Sequence, residues 1–286
     1  MATIAEMVAR ARQRLIEAGV PADEAPGDAE VLARHALGWD LTRYATSRSE
    51  RAPADFAAQF DRLLARRLTR EPVSQIVGHR EFWGLDFEVT RDVLTPRPET
   101  ELVVQAALDA FPRERAIAIV DVGTGSGCIA VALATEFPRA RLIASDVSLA
   151  ALAVARRNAV RHGVSQRVAF VHSRLFNPGT DVDLIVSNPP YIATGDAPSL
   201  PPEVREYEPH VALFGGRDGL DAFRGLFTAN RTALSASGEG RLIVEVGYDQ
   251  AAAVRTLADP GVWTFERGYR DLQDIERVLV FRAKNR

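Results

Sequence analysis

The spacing of apolar positions changes character twice along this chain, dividing it into three parts. Up to about residue 72 the spacing is helical. Ile4, Met7, Val8, Ala11, Leu15 and Ile16 share one face, Thr3 and Glu6 form a capping-box signature, and Gly19 can end the helix. A second helix is predicted from about Asp28 to Leu37, closed by Gly38. A third begins near Pro53, a residue suited to a first helical turn, and carries Phe56, Phe60, Leu63, Leu64 and Leu68 on one side before Pro72 stops it. From Gln75 to Leu94 the pattern alternates, with Val, Phe and Trp around a central Gly84, which predicts a two-stranded hairpin. Pro96-Arg97-Pro98 then forces an extended stretch, and a helix is expected from about Glu99.

From residue 116 onward, apolar runs of strand length alternate with helical segments. Strands are predicted at about 116–122, 141–146, 167–172, 182–187, 240–246, 262–267 and 276–282, and helices at about 127–137, 148–162, 219–234 and 248–258. Such alternation implies an α/β domain, a mostly parallel sheet covered by helices on both faces. The stretch 188–218 reads as irregular and is too long for a plain connection, so it is expected to shape a site. The resulting division is a helical segment over 1–72, a hairpin linker over 73–95 and an α/β domain over 96–286.

Composition narrows the function classes. The chain has 286 residues, 47% of them hydrophobic, enough for a full core, and a formal charge of −3. That balance argues against tight non-specific binding to nucleic acid, which depends on neutralising phosphates. One cysteine, Cys128, leaves no internal disulfide and no cysteine-rich zinc site, so no metal is expected. No apolar run approaches the ~18 residues of a membrane span, and no signal-peptide pattern opens the chain, so a cytoplasmic protein is expected.

Two loops carry the chemistry. Asp121-Val-Gly123-Thr124-Gly125-Ser-Gly127 follows the apolar run Ala116–Val120 and precedes a helix. Glycines at these positions allow tight turning and close backbone approach to a ligand. The third glycine comes one residue too early for a dinucleotide fingerprint, and the shorter loop suits an adenosine cofactor without a pyrophosphate. Asp146 closes the next strand, where a carboxylate can accept both ribose hydroxyl protons.

The second loop is Asn188-Pro189-Pro190-Tyr191, directly after the buried-strand run Asp183–Ser187. A planar amide nitrogen is a weak nucleophile because its lone pair is delocalised. Oxygens that accept both of its N–H bonds can make it more pyramidal and aim the lone pair. Asn188 offers a side-chain carbonyl, Pro189 offers a main-chain carbonyl stiffened by Pro190, and Tyr191 can pack on the substrate plane.

With these motifs in place the chain resembles the HemK/PrmC family, the glutamine N5-methyltransferases of peptide chain release factors. The glycine loop resembles motif I of class I S-adenosylmethionine-dependent methyltransferases. Gly78-His-Arg-Glu-Phe-Trp83, Thr95-Pro-Arg97-Pro-Glu99-Thr-Glu101, Ser187–Ile192, Glu208-Pro209 and Gly215-Gly-x-Asp218-Gly-Leu220 match further family patterns. The resemblance implies a Rossmann-like seven-stranded methyltransferase sheet, a small helical N-terminal domain that recognises the protein substrate, and a hairpin linker. It implies S-adenosyl-L-methionine as cofactor, S-adenosyl-L-homocysteine as product, and class 1 release factors as partners, methylated at the glutamine of their Gly-Gly-Gln loop. No direct nucleic-acid binding and no membrane are expected.

By that resemblance Asp121, Gly123, Thr124, Gly125, Gly127, Asp146, Leu175 and Asn188 hold the cofactor. Asn188, Pro189 and Tyr191 act on the substrate amide, and Pro190, Arg97 and Glu99 line the same cleft. One stretch departs from the family: Ser173-Arg174-Leu175-Phe176 stands where an acidic residue is common, and arginine cannot accept adenine amino protons. The alternatives are a glutamine methyltransferase of a ribosomal protein, a DNA adenine-N6 methyltransferase, which would need a basic cleft and a flipped base, and a non-enzymatic cofactor-binding scaffold.

Overall fold

The computed structural model describes residues 2–174, 182–229, 234 and 239–284. The chain forms two compact units: Met1–His79 with Pro201–Tyr207, and Arg80–Leu200 with Glu208–Arg286.

The first unit is helical. Its helices are α1 (Ile4–Glu17), α2 (Ala25–Leu37), α3 (Leu41–Ser47), α4 (Phe56–Leu68) and α5 (Val73–Val77). The capping box at Thr3 and Glu6 forms in both directions. Helix α2 starts three residues earlier than the sequence suggests, because Pro26 sits in its first turn, where no amide proton is needed. Ile4, Leu15, Leu32, Phe56, Phe60 and Leu64 make the core, with Phe56 and Phe60 stacked at 5.1 Å.

Helix α5 corrects one expectation. Residues 75–77, assigned to a hairpin by their alternation, extend the helical unit instead. Pro72 begins this short helix, and Gly78 ends it in the left-handed conformation at φ 83°. A turn and a half of helix is too short to show its period. A second correction concerns 188–218. It contains a 3₁₀ helix (Thr194–Ser199) and two short helices, α9 (Pro202–Tyr207) and α10 (His210–Leu213). Helix α9 belongs to the first unit. Its Glu203 takes Arg67 Nη1 at 2.9 Å and both Nε and Nη2 of Arg70, at 2.6 and 2.7 Å. Arg67, only 2% exposed, also donates to Asp28 at 2.7 Å.

The second unit opens with a two-stranded hairpin, β1 (His79–Phe82) and β2 (Leu85–Glu88). Trp83 and Gly84 both have positive φ, 55° and 71°, as a two-residue type I′ turn requires. A bulky residue resists that conformation. Here Trp83 is tied down, its main-chain amide donating to Glu101 at 2.8 Å and its indole to Glu136 at 2.7 Å.

A seven-stranded sheet follows, built from β3 (Ala118–Val122), β4 (Arg141–Asp146), β5 (Val168–His172), β6 (Leu184–Ser187), β7 (Arg241–Glu245), β8 (Trp263–Arg270) and β9 (Glu276–Ala283) in the order β5-β4-β3-β6-β7-β9-β8. The first five strands are parallel, and β9 runs antiparallel to β7 and β8. Helices α6 (Glu101–Ala110), α7 (Cys128–Glu136), α8 (Leu149–Arg161), α11 (Asp221–Ala229) and α12 (Ala251–Leu257) complete the unit.

The two-residue strand period sorts the core. Ile119, Leu184, Val186 and Ile243 face α6 and α7, while Val120, Ile185, Leu242 and Val244 face α11 and α12. Strands β3 and β6 are neighbours from which the order runs outward in both directions. Ligands of such sheets bind outside the carboxyl ends at this reversal. Both chemistry-bearing loops leave the sheet there.

Candidate active site

The glycine loop is fastened from beneath. Gly123 and Thr124 donate their main-chain amides to the Ser145 carbonyl of β4 at 2.8 and 2.9 Å. Gly123, Gly125 and Gly127 have φ of 75°, 55° and 82°, which only glycine adopts without strain. At Gly123 and Gly125 an added Cβ would meet nothing within 4 Å, so this stretch presents bare main chain to open space. Gly127 serves a different purpose: a Cβ there would lie 3.0 Å from Ala155 on α8.

Asp121 and Thr124 shape the turn from inside. Thr124 donates its hydroxyl to Asp121 Oδ2 at 2.6 Å, and both residues are buried. Burial pushes the Asp121 carboxyl up to about 7, against the opposing pull of the Thr124 hydroxyl and the Ala130 amide. Its Oδ1 finds no hydrogen-bond partner among the described residues.

Asp146 spans the loop and the next helix. Its Oδ2 accepts from the Gly125 amide at 2.9 Å and its Oδ1 from the Ser148 amide at 2.8 Å. Those two bonds orient the carboxylate and leave lone pairs for a diol, since a carboxylate accepts about four hydrogen bonds. An open main-chain cradle beside an oriented carboxylate fits an adenosine cofactor. Leu175 lies outside the described residues.

The Asn188-Pro189-Pro190-Tyr191 loop sits next door. Asp121 of β3 pairs with Val186 of β6, and Ser187 donates its hydroxyl to the Val122 carbonyl at 2.7 Å, so Asn188 leaves the sheet level with the glycine loop. Asn188 is half-buried and Pro189 buried. Tyr191 packs against the core, and burial raises its phenol well above the ordinary value. Asn188 Nδ2 donates to Thr100 Oγ1 at 3.1 Å. One proton of the amide nitrogen is therefore engaged, while the carbonyl oxygen accepts no hydrogen bond from the described residues.

Behind this loop runs the segment 213–219. Ile192 and Gly215 exchange main-chain bonds with Leu213 and Ile192, both at 2.9 Å. A Cβ on Gly215 would fall inside the carbonyl oxygen of Pro190, and one on Gly219 inside that of Tyr191. These glycines allow the close approach that seats the Asn188–Tyr191 loop. Arg97 binds both oxygens of Glu208, at 2.8 and 2.7 Å, and the Thr95 amide adds a bond of 3.3 Å. Arg97 thus anchors the extended Pro-Arg-Pro stretch. Glu99 lies close enough to raise the Glu245 carboxyl electrostatically.

Three residues here were not singled out from the sequence. Glu245, at the carboxyl end of β7, is 3% exposed and its carboxyl is pushed up to about 7 by burial. Its signal was a charge inside the apolar run Leu242–Val246. Gln250 binds the Tyr191 carbonyl. Asn158, fully buried on α8, receives the Glu88 amide at 2.8 Å and donates to Ser126 of the glycine loop at 2.8 Å, tying hairpin to loop. Nothing in a helical Arg-Arg-Asn pattern marks it.

Residues 6–78 match the family model of the PrmC N-terminal domain, and residues 100–199 that of the methyltransferase small domain. A release factor glutamine methyltransferase of Cereibacter sphaeroides is 46% identical over 256 residues, 89% of each chain. One of Caulobacter vibrioides is 40% identical and covers 97% of this chain and 96% of its own. The chain belongs to the release factor glutamine methyltransferase family. A solved methyltransferase of Pyrococcus furiosus shares the fold at a TM-score of 0.53 and 18% identity, covering 78% of this chain and 98% of its own. Both the helical N-terminal region and the methyltransferase region are matched, so this chain is a methyltransferase. Among the described residues no helix is long and apolar enough to cross a membrane.

Proposed function

We propose that this enzyme transfers the methyl group of S-adenosylmethionine to the side-chain amide nitrogen of the Gly-Gly-Gln glutamine in class 1 peptide chain release factors. The observation that carries the reading is Asn188, whose Nδ2 is engaged by Thr100 at 3.1 Å so that its oxygen is the end left for a substrate N–H. The near full-length match to the family's methyltransferases supports the choice of an amide over an exocyclic base amine.

S-adenosylmethionine, when bound, supplies an electrophilic methyl on a sulfonium. The main chain of Gly123 and Gly125 and the carboxylate of Asp146 hold it, with Asp121 and Thr124 keeping the loop in shape, Gly127 closing it against α8, and Asn188 beside it. Asn188 Oδ1 and the Pro189 carbonyl accept the two N–H bonds of the substrate amide. Tyr191 covers the plane of that group, and Pro190 stiffens the turn. Arg97 and Glu99 border the cleft. Holding both N–H bonds localises the nitrogen lone pair and orients it, so no base is needed before transfer and the proton leaves afterwards. Positioning and preorganised dipoles supply the acceleration. In this reading the helical N-terminal unit binds the release factor, and the protein works in the cytoplasm without contacting nucleic acid.

The test is methyl transfer from labelled S-adenosylmethionine to a release factor and to its Gly-Gly-Gln variant with the glutamine replaced by alanine. Label on the wild-type factor alone is expected. Label on neither factor, with cofactor binding intact, would redirect the search to ribosomal proteins and then to nucleic acids.

A further inference from the structure

The glycine loop has little conformational preference of its own. Gly125 and Gly127 flank Ser126, and glycine visits left- and right-handed main chain about equally, so the peptide planes here take their directions from outside partners. Two of those partners come from β4: the Ser145 carbonyl, which takes the Gly123 and Thr124 amides, and Asp146, which takes the Gly125 amide. The peptide between Ser126 and Gly127 is held at both ends. Its N–H donates to the Thr124 carbonyl at 2.8 Å, and its carbonyl accepts from Asn158 Nδ2 at 2.8 Å.

The orientation of the Asn158 amide is unambiguous. Its Oδ1 accepts from the Glu88 amide at 2.8 Å, and its Nδ2 donates to the Glu88 carbonyl at 3.1 Å as well as to Ser126. A main-chain N–H can only donate and a main-chain carbonyl can only accept, so turning the amide by 180° would set donor against donor and acceptor against acceptor. The side chain pairs with Glu88 as a residue of a neighbouring strand would, and it is fully buried. Helix α8 also grips β2 at the surface. Arg157 binds the Glu88 carboxylate at 2.7 and 2.9 Å, and Arg161 binds the Asp86 carboxylate at 2.9 Å. Those arginine bonds end at β2, whereas the asparagine amide goes on to the glycine loop.

We propose that Asn158 is a positioning residue for the cofactor: it fixes the Ser126–Gly127 peptide and makes β2 part of the cofactor cradle, so that cofactor binding and the ordering of β2 favour each other. This rests on the reading that the glycine loop holds S-adenosylmethionine. A cradle set in advance binds more tightly, because less ordering is left to do on binding. The coupling is reciprocal: what β2 contributes to cofactor affinity, the cofactor returns as protection of β2.

Two measurements test this, and neither needs turnover. The first is calorimetric titration with S-adenosylhomocysteine. Asn158→Ala should weaken binding by about tenfold or more. Arg161→Ala, which loosens β2 at the surface and leaves the three asparagine bonds in place, should change it by less than about twofold. Unchanged affinity in Asn158→Ala, or an equal loss in Arg161→Ala, would overturn the proposal.

The second is amide hydrogen exchange in the wild type, where no variant has to fold. Saturating S-adenosylhomocysteine should slow exchange of the Glu88 amide by about tenfold more than it slows the amides of β9, which pair with β7 and β8. In Asn158→Asp, which keeps an acceptor for the Glu88 amide and loses the donor to Ser126, that extra protection should vanish. A general loss of stability would speed both sets alike and leave the contrast in place. Equal slowing of both sets in the wild type would overturn the proposal. A wild type that binds no S-adenosylhomocysteine would overturn the cofactor reading and this proposal with it; a wild type that binds it but shows no extra protection of Glu88 would overturn this proposal alone.

Discussion

Gln250 grips Tyr191 by its main chain. Its Nε2 donates to the Tyr191 carbonyl at 2.8 Å, and its Oε1 accepts the Gly247 amide at 3.2 Å. One side chain after β7 therefore fixes the far end of the catalytic loop while Ser187 fixes the near end on β3. Between two such anchors the directions of the Asn188 side chain and the Pro189 carbonyl are set before substrate arrives. Gln250→Ala is expected to lower kcat about tenfold, the equivalent of one positioned hydrogen bond of roughly 1.4 kcal/mol. Steady-state kinetics at saturating cofactor checks this, and an unchanged kcat would show that the loop holds its shape without the clamp.

Gly219 reaches the same carbonyl from another side. It sits at φ 75°, and a Cβ would fall inside the Tyr191 carbonyl oxygen and 2.7 Å from Gln250 Nε2. Gly219→Ala combines left-handed strain of about 1–2 kcal/mol with a backbone clash that cannot relax by rotamer change. Methyl transfer should fall by more than in Gln250→Ala, with a lower melting temperature. Wild-type activity in Gly219→Ala would mean that the catalytic loop can retreat without cost.

How far the sequence could be read follows from where the determinants lie. Strand β6 and its loop were legible because Leu184–Val186 is a continuous apolar run within a fully buried strand, and the rigid Pro189-Pro190 follows two residues beyond it. The glycine loop was legible because three left-handed positions recur at fixed spacing. Helix α3, at seven residues, is too short to show a period. The assignment of Pro201–Tyr207 to the helical unit depends on Arg67 and Arg70 meeting Glu203 more than 130 positions away, a pairing that no local pattern encodes. Asn158 escaped for the same reason: it acts through side-chain bonds to Glu88 and Ser126, 70 and 32 positions away.

Asn188→Ala removes the oxygen meant for the substrate amide while leaving the glycine loop and Asp146 as they are. The loss should fall on kcat, by roughly 2–4 kcal/mol of transition-state stabilisation, with S-adenosylmethionine affinity nearly unchanged. Calorimetric titration of the cofactor beside single-turnover rates separates the two. A parallel loss in cofactor affinity would make Asn188 part of the cofactor site first.

In the helical unit, Glu203 neutralises the buried Arg67 together with Asp28 and is itself held ionised. Burial works against its charge, but the bonds from Arg70 and Arg67 outweigh it and keep the carboxyl below its ordinary value. Glu203→Ala leaves Arg67 with one carboxylate and Arg70 with none of its two bonds to Glu203. A destabilisation of about 3 kcal/mol is expected, since removing one partner strands a desolvated charge. Urea unfolding measures it. The same contacts mean that deleting residues 1–72 would strip Glu203 of Arg67 and Arg70, so point variants on this unit give cleaner tests of substrate binding.

Asp121 offers a test by pH. Its native carboxyl is raised from 3.8 to about 7, chiefly by burial, so between about pH 4 and 7 the folded protein holds a proton that the unfolded chain has released. A group raised in this way contributes stability below its unfolded value, and that contribution is lost as pH rises through about 7. Glu245, raised from 4.5 to about 7, acts in the same direction. Asp121→Asn keeps the shape and removes the titration. The difference in stability between wild type and variant should therefore drift against the wild type as pH rises across this window, by at most about 1.4 kcal/mol per pH unit for one proton. Melting temperatures of both proteins without cofactor, taken at intervals from pH 4.5 to 8, provide the measurement. A constant difference would show that Asp121 stays ionised in the folded state.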